Sequence, residues 1–170
     1  PTIGTLTLTF QGGNGLKNAA ATSLESTGSS GTITGDWGLL AGPTVSGVAA
    51  NDPDDADALY GNGDTITVSF SENTNQPAGA TKANIDAIFS FNQALGTDYT
   101  GVWTNAQTLA ITVVNATGAL PPTVGGLQLT FQGGNGLKNA AGTSLESTGT
   151  SGTITGDWGL LAAPTFSAVA

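Results

Sequence analysis

The sequence predicts an all-β fold, an antiparallel β-sandwich, from three observations. Residues 65–71 alternate polar and apolar side chains without interruption, and Leu109, Ile111 and Val113 share one parity. Period-two runs rich in β-branched residues are typical of strands with one buried face. Clusters of Gly, Asn and Pro separate these runs, and no long segment has convincing helical periodicity. The regular patterning also argues against disorder, although Gly, Ser, Thr and Asn are abundant.

Seven strands are predicted in order along the chain. The first opens after Pro43, and the second is the alternating run described above. Aromatic residues mark the third and fourth strands. Trp103, flanked by Tyr99, is the expected core aromatic, and its predicted ring partner is Phe89 or Phe91. Apolar residues at every second position mark the fifth and sixth strands, and a short Thr-Ile-Thr run marks the seventh. The predicted bounds are 44–49, 64–72, 87–92, 99–104, 107–114, 125–132 and 152–155.

The segment ahead of the third strand has a second interpretation. The run that begins at Thr81 is also compatible with a helical turn, because a Thr hydroxyl at the N-cap accepts a hydrogen bond from a backbone N–H of the first turn. In that case Ile85, Ile88 and Phe89 face the core. The sequence leaves both alternatives open.

The longest motif of the chain is an internal repeat. The nonapeptide FQGGNGLKN occurs at residues 10–18 and again at residues 131–139. When residue 1 is placed over residue 122, the 49 aligned positions differ at 8, and the period is 121 residues (122 minus 1). A period of this length corresponds to a whole domain rather than to a small solenoid unit.

The repeat divides the chain into three parts. Residues 1–42 are the closing part of one repeat, residues 43–163 are a complete repeat, and residues 164–170 open the next. We therefore expect a longer, tandemly repeated protein. The closing part carries an alternating apolar edge of Leu6, Leu8 and Phe10 but no opening strands to cover it, and such an edge is a template for pairing. It is expected to fold like residues 122–163 and to be completed head to tail, by the preceding repeat or by another subunit.

Four stretches carry a resemblance to a known class of domains. They are GDTITVSFSE at 63–72, YTGVWT at 99–104, TLAITV at 108–113 and GLKNAAGTSL at 136–145. In these stretches the chain resembles the immunoglobulin-like repeats of giant extracellular bacterial and algal proteins, such as adhesins and fibre-forming stalks. The last stretch departs from the turn of those repeats, with Asn139 in place of Asp and Thr143 in place of Asn. Together with the spacing of the strands, the resemblance implies immunoglobulin-like β-sandwiches in tandem and an extracellular location.

Composition excludes several functions. The chain has no Cys, His, Met or Arg, and three Lys face twelve Asp and Glu, for a net charge of −9. Nucleic acids and anionic membrane surfaces select basic patches, so neither is an expected partner. No apolar run approaches the roughly 20 residues that span a bilayer. Without His or Cys the usual nucleophilic arrangements are missing, and the acidic residues are not distributed around a cleft, so we do not expect an enzyme.

The densest group of charges predicts a Ca²⁺ site. Carboxylates crowd a short loop that also carries Gly and backbone carbonyl groups, and Ca²⁺ takes 6–8 oxygen ligands. The spacing is not that of an EF-hand. In the resembled repeats, such loops hold Ca²⁺ that stiffens the junction with the preceding domain. The alternative is a solvated acidic loop in which Asp serves turn formation. The predicted ligands are Asp52, Asp54, Asp55, Asp57 and Asp64.

An N-glycosylation sequon and two hydroxyl-rich stretches are candidate sites of sugar attachment. Asn115-Ala-Thr117 is an N-glycosylation sequon at the end of the fifth strand, and its alternative role is a turn-forming Asn that tolerates the left-handed conformation. Residues 23–35 and their copy at 144–156 are rich in hydroxyl groups. They are candidates for O-glycosylation or surface adhesion, and an exposed loop leading into a short strand is the favoured interpretation.

The motif DWGLLA precedes the start of each new repeat, at residues 36–41 and 157–162. A Trp followed by two Leu at this place is expected to lie at a joint and to pack against a neighbouring unit or chain. The predicted joint residues are Trp37, Leu39, Leu40, Trp158, Leu160 and Leu161.

Two functions are consistent with these sequence features. The first is a structural building block that self-assembles head to tail, from identical repeats or copies, into an extracellular filament, stalk or appendage stiffened by Ca²⁺ and glycans. The alternative is an adhesin array that binds carbohydrate or surfaces. Near-identical repeats favour the first, as does the lack of a loop that concentrates aromatic residues for stacking on sugars.

Overall fold

The computed structural model describes residues 4–35, 37–53 and 59–159. The chain divides into two compact units, Pro1–Leu39 and Leu40–Ala170. Residues 164–170, predicted to open a further repeat, lie outside the described residues. Within the described residues, no helix has the length and the apolar character that a membrane span requires.

The larger unit is built mainly of strands. Five strands form one sheet in the order β4-β5-β2-β1-β7, and two form a second sheet, β3-β6. The strand pairs are antiparallel except β1 and β7, which are parallel. The all-β prediction is confirmed at this level. In chain order the elements are β1 (Val45–Asn51), β2 (Thr65–Phe70), α1 (Lys82–Ile88), β3 (Phe89–Phe91), β4 (Asp98–Asn105), β5 (Thr108–Asn115), β6 (Leu129–Phe131) and β7 (Thr155–Gly156).

The core follows from the alternation of β2 and β5. Ile66 and Val68 on β2 lie opposite Ile111 and Leu109 on β5, and all four side chains are fully buried. Because successive side chains of a strand point to opposite faces, one period-two run supplies a continuous apolar face. Residues of the two-stranded sheet, among them Phe89, belong to the same hydrophobic cluster.

The stretch from Thr81 adopts the helical alternative. The hydroxyl of Thr81 accepts a hydrogen bond from the backbone N–H of Asn84 at 3.3 Å and caps α1. Ile85 and Ile88, three residues apart on one helix face, are buried, and Phe89 is buried directly after the helix. The predicted strand 87–92 is therefore shortened to β3, since its first residues complete the helix.

The second predicted strand, 64–72, is slightly shortened to β2, and the sixth and seventh predicted strands are also shorter than expected. In place of the predicted strands 125–132 and 152–155, only Leu129–Phe131 and Thr155–Gly156 form ladders. Residues that flank these two strands form backbone hydrogen bonds with each other instead. The Ile154 N–H donates to the Leu127 carbonyl at 2.8 Å, and the Gly125 N–H donates to the Ile154 carbonyl at 2.8 Å. The backbone groups are satisfied without a longer strand.

Trp103 has a different ring partner from the one predicted. Its indole lies 5.4 Å, centroid to centroid, from Phe70 of β2 and donates through Nε1 to the Pro77 carbonyl at 2.8 Å. Phe91 instead contacts Tyr99 at 5.8 Å. Phe70 lies on β2, two places from β4 in the sheet order, so the arrangement of the strands rather than the sequence around Trp103 decides the contact.

Candidate assembly surface

The two copies of the repeat have the same local backbone structure. We call residues 4–38 the N-terminal copy and residues 125–159 the C-terminal copy. Phe10 donates to the Gly28 carbonyl at 3.0 Å, and its counterpart Phe131 donates to the Gly149 carbonyl at 3.0 Å. Other matched donor and acceptor pairs are Ser30–Leu8 with Ser151–Leu129, Ile33–Leu6 with Ile154–Leu127, Gly4–Ile33 with Gly125–Ile154, and Ser26–Leu16 with Ser147–Leu137.

Asparagine side chains organise the same loop in both copies. The Asn135 amide donates to the carbonyls of Gln132 and Ser147 at 2.6 and 2.8 Å, and its oxygen accepts from the Leu137 N–H at 2.8 Å. Asn14 makes the corresponding three bonds, at 2.7, 2.9 and 2.8 Å. Side-chain bonds of this kind substitute for backbone turns. These three hydrogen bonds are therefore made within each copy, whether or not its apolar side is covered.

The apolar side chains differ sharply between the copies. Leu8 is 66% exposed, whereas Leu129 is 1% exposed. Trp37 is 62% exposed, whereas Trp158 is 9% exposed. Leu16 and Phe10 are likewise exposed, while their counterparts Leu137 and Phe131 are buried and partly buried. We call the four exposed residues Leu8, Phe10, Leu16 and Trp37, whose counterparts lie in or against the core of the larger unit, the open face.

The C-terminal copy shows what covers this surface. β3 pairs with β6, so that Phe89 lies opposite Phe131 and Phe91 lies opposite Leu129, and the rings of Phe89 and Phe131 are 5.2 Å apart. Tyr60 contacts the Trp158 ring edge to face at 4.8 Å. Aromatic contacts of this geometry add roughly 0.5–1.5 kcal/mol to the burial itself. The covering groups all come from residues 43–121, which we call the body segment.

The predicted joint residues are found in different environments. Trp37, Leu39 and Leu40 are exposed. The sequence predicts that Trp158 packs against a neighbouring unit or chain, whereas in the structure it is buried in the hydrophobic core of its own unit and donates through Nε1 to the Pro122 carbonyl at 2.7 Å. The parallel pairing of β7 with β1 carries the chain back over the core just before Trp158, which the local sequence does not reveal. Leu160 and Leu161 lie outside the described residues.

Of the predicted Ca²⁺ ligands, the structure describes Asp52 and Asp64, and both are buried. The Asp64 carboxylate accepts from the Gly61 N–H at 2.9 Å. Burial, and secondly the charge of Asp64, raise the pKa of the neighbouring Tyr60 well above its ordinary value. Asp54, Asp55 and Asp57 lie outside the described residues, and the residues that are described contain no metal-holding group of three or more acidic, His or Cys side chains. The Ca²⁺ site therefore remains a prediction.

Asn115 is exposed at the end of β5 and is accessible for modification. Its side-chain oxygen accepts from the Thr117 N–H at 3.0 Å, which also makes it a turn former. Its φ is not positive, so the left-handed conformation is not the reason for Asn at this position. Both roles of the sequon remain compatible with the structure.

Sequence reasoning missed one polar cluster at the rim of the core. The Tyr99 hydroxyl donates to Asp86, which pairs with Lys82 at 2.5 Å, and the Lys82 ammonium lies 4.9 Å from the centre of the Tyr99 ring. Burial, followed by the bond to Asp86, raises the pKa of Tyr99. These groups border a cavity of about 290 Å³. The i, i+4 spacing of Lys82 and Asp86 was the available signal, but it needed the helix.

Each copy of the repeat therefore brings an organised apolar surface, which is covered in the C-terminal copy and open in the N-terminal copy. Comparison with protein-family models, with curated proteins and with solved structures finds no match to the chain.

Proposed function

We propose that the chain is a structural building block of an extracellular filament, stalk or appendage, made of immunoglobulin-like β-sandwich repeats of 121 residues joined head to tail. One observation carries the proposal. The same segment occurs twice with the same backbone hydrogen bonds, and its apolar side is covered by a body segment in one copy and open in the other.

The open face supports assembly because of its chemistry. It exposes two aromatic and two Leu side chains whose counterparts are packed in or against a core, and exposed apolar patches mark interaction sites. Its covered counterpart is part of a domain core, which indicates that the matching surface belongs to a repeat of the same type. A contact of one repeat with the next that does not close into a ring generates an open filament.

Charge and Ca²⁺ complete the proposal. A net charge of −9 keeps such repeats soluble but makes neighbouring acidic loops repel one another. Ca²⁺ held by the loop from Asp52 to Asp64 relieves this repulsion and stiffens the filament. Glycans at Asn115 add a hydrated coat at the end of β5.

Electron microscopy of native material tests the proposal. The expected result is uniform fibres with one axial repeat per 121-residue module, which shorten or become flexible in chelator. Isolated flexible rods that end in a distinct tip domain would instead support the adhesin alternative. A second test is the mass of the denatured native polypeptide, which exceeds that of the 170-residue chain by whole 121-residue periods when further repeats share the same polypeptide.

A further inference from the structure

We propose that the open face is an acceptor for one further body segment, with the sequence of residues 43–121 or a close copy of it, that precedes the N-terminal copy in the same polypeptide and binds in a defined register. The inference rests on the proposed function in taking repeats as successive modules. It goes further by naming the occupant, its strand and its hydrogen bonds.

The register on the open face follows when the repeat period of 121 residues is subtracted from the residue numbers of the covered copy. In the C-terminal copy, Phe89 is opposite Phe131 and Phe91 is opposite Leu129. The corresponding residues of the open face are Phe10 and Leu8. The incoming β3 therefore runs antiparallel to residues 8–10, with its Phe89 opposite Phe10 and its Phe91 opposite Leu8.

Hydrogen bonds extend the same register beyond the strand. Gln132 donates to the Ile88 carbonyl at 2.9 Å, just beyond the β3-β6 ladder. The residue that corresponds to Gln132 is Gln11, which occurs in the repeat unchanged. Gln11 is therefore expected to donate to the incoming Ile88 carbonyl. Trp37 is expected to contact the incoming Tyr60 edge to face, as Trp158 contacts Tyr60 at 4.8 Å between ring centroids.

A glycine pair provides independent support for a close backbone approach. A Cβ at Gly156 would lie 2.1 Å from the Ala50 carbonyl oxygen of β1. Gly35 occupies the same position in the N-terminal copy, with φ of +100° against +85° for Gly156, yet among the described residues no heavy atom lies within 4 Å of a Cβ built there. The positive φ favours glycine in both copies. Only Gly156 also has the Ala50 carbonyl of β1 beside it, so the space beside Gly35 matches an incoming β1 strand.

Another complete molecule of the chain does not fit as the occupant. Each molecule has one body segment and two copies of the segment that covers it, and its body is already packed against its own C-terminal copy. To cover the open face of a neighbour, a molecule must expose Leu129, Leu137 and Trp158 of its own. The exchange buries no additional apolar area and loses the advantage of the intramolecular contact.

The proposed position of the further body segment, ahead of residue 1, follows from the way the body and the C-terminal copy are connected in the covered repeat. There the body ends and the C-terminal copy begins within one short connection, between Asn115 of β5 and Gly125. A connection of the same length is expected to join the proposed preceding body segment to Gly4. Covalent linkage gives the contact a high effective concentration, as it does in the covered repeat.

The test compares the 170-residue chain with an extended chain in which residues 43–121 are added ahead of Pro1. Amide hydrogen exchange is measured at Phe10 and at its internal reference, Phe131. In the 170-residue chain the Phe10 amide is expected to exchange at least about tenfold faster, since local opening of an uncovered segment costs less free energy. In the extended chain the two rates are expected to agree within about threefold.

Matched variants test the register itself. In the extended chain, Phe89→Asp in the added body alone should return Phe10 to fast exchange and leave Phe131 slow. Gly35→Ala should lower the melting temperature less than Gly156→Ala in the 170-residue chain, and by a similar amount in the extended chain. A Phe10 amide that exchanges equally fast in both chains overturns the proposal, and so does concentration-dependent protection of Phe10 in the 170-residue chain, which would make another molecule the occupant. Filament formation is scored separately, so an extended chain that is covered but does not form fibres refutes the proposed function alone.

Discussion

The two leucines at equivalent positions of the repeat allow a sharp test of how covering stabilises this protein. Leu8 and Leu129 stand in the same tripeptide, Leu-Thr-Phe, and have the same local hydrogen bonds. We expect Leu129→Ala to destabilise its unit strongly and Leu8→Ala to have little effect. Effects of the substitution on strand propensity and on the unfolded chain are nearly the same at both positions, so the difference reports burial.

The magnitude follows from the exposed fractions. Leu129 is 1% exposed, and a Leu→Ala change in such a core lowers the free energy of unfolding by about 2–5 kcal/mol. Leu8 is 66% exposed and so retains about one third of the burial of a core leucine, which is worth roughly 0.5–1 kcal/mol. The expected difference is about 2–4 kcal/mol. For a unit of this size, a loss of about 3 kcal/mol lowers the melting temperature by roughly 10 °C.

The assay is chemical and thermal unfolding of the 170-residue chain and of both variants, followed by circular dichroism and Trp fluorescence. Val114→Ala, at an exposed position of β5, serves as a control for a surface apolar truncation. Equal shifts for Leu8→Ala and Leu129→Ala would refute the reasoning, because they would mean that the open face is already covered in the isolated chain.

Three further predictions concern the covered repeat and its acidic loop. Trp158→Ala should destabilise the larger unit by about 3–5 kcal/mol, measured by urea unfolding, because the side chain belongs to the core; a stable unit with impaired assembly would restore its role as a joint residue. The pKa values of Tyr60 and Tyr99 are raised in the folded state, so the unfolded state releases protons first and stability should fall as the pH rises above about 10. Unfolding from pH 8 to 11 checks this, and Tyr60→Phe should reduce the slope; an unchanged slope would contradict the assignment. Millimolar Ca²⁺ should raise the melting temperature of the wild-type chain but not of the Asp55→Ala, Asp57→Ala double variant, and equal melting of the wild type with Ca²⁺ and with chelator would exclude the site.

The sequence by itself determined the local structure to a large extent. Alternation located β2 and β5, because the period of two is a property of the extended backbone alone. Thr81 marked the start of a helix through a hydrogen bond that spans three residues. The repeat implied two segments with the same turns, and the asparagine bonds that shape these turns are local in both copies.

Tertiary structure decided where identical side chains are buried. Leu8 and Leu129 have the same neighbours in sequence, yet one is exposed and the other lies in the core. The ring partner of Trp103 and the burial of Trp158 depend in the same way on strands that are distant along the chain. Hydrogen bonds within a turn act over a few residues and are encoded there. Burial depends instead on which surface is packed opposite, and for the C-terminal copy that surface comes from the body segment.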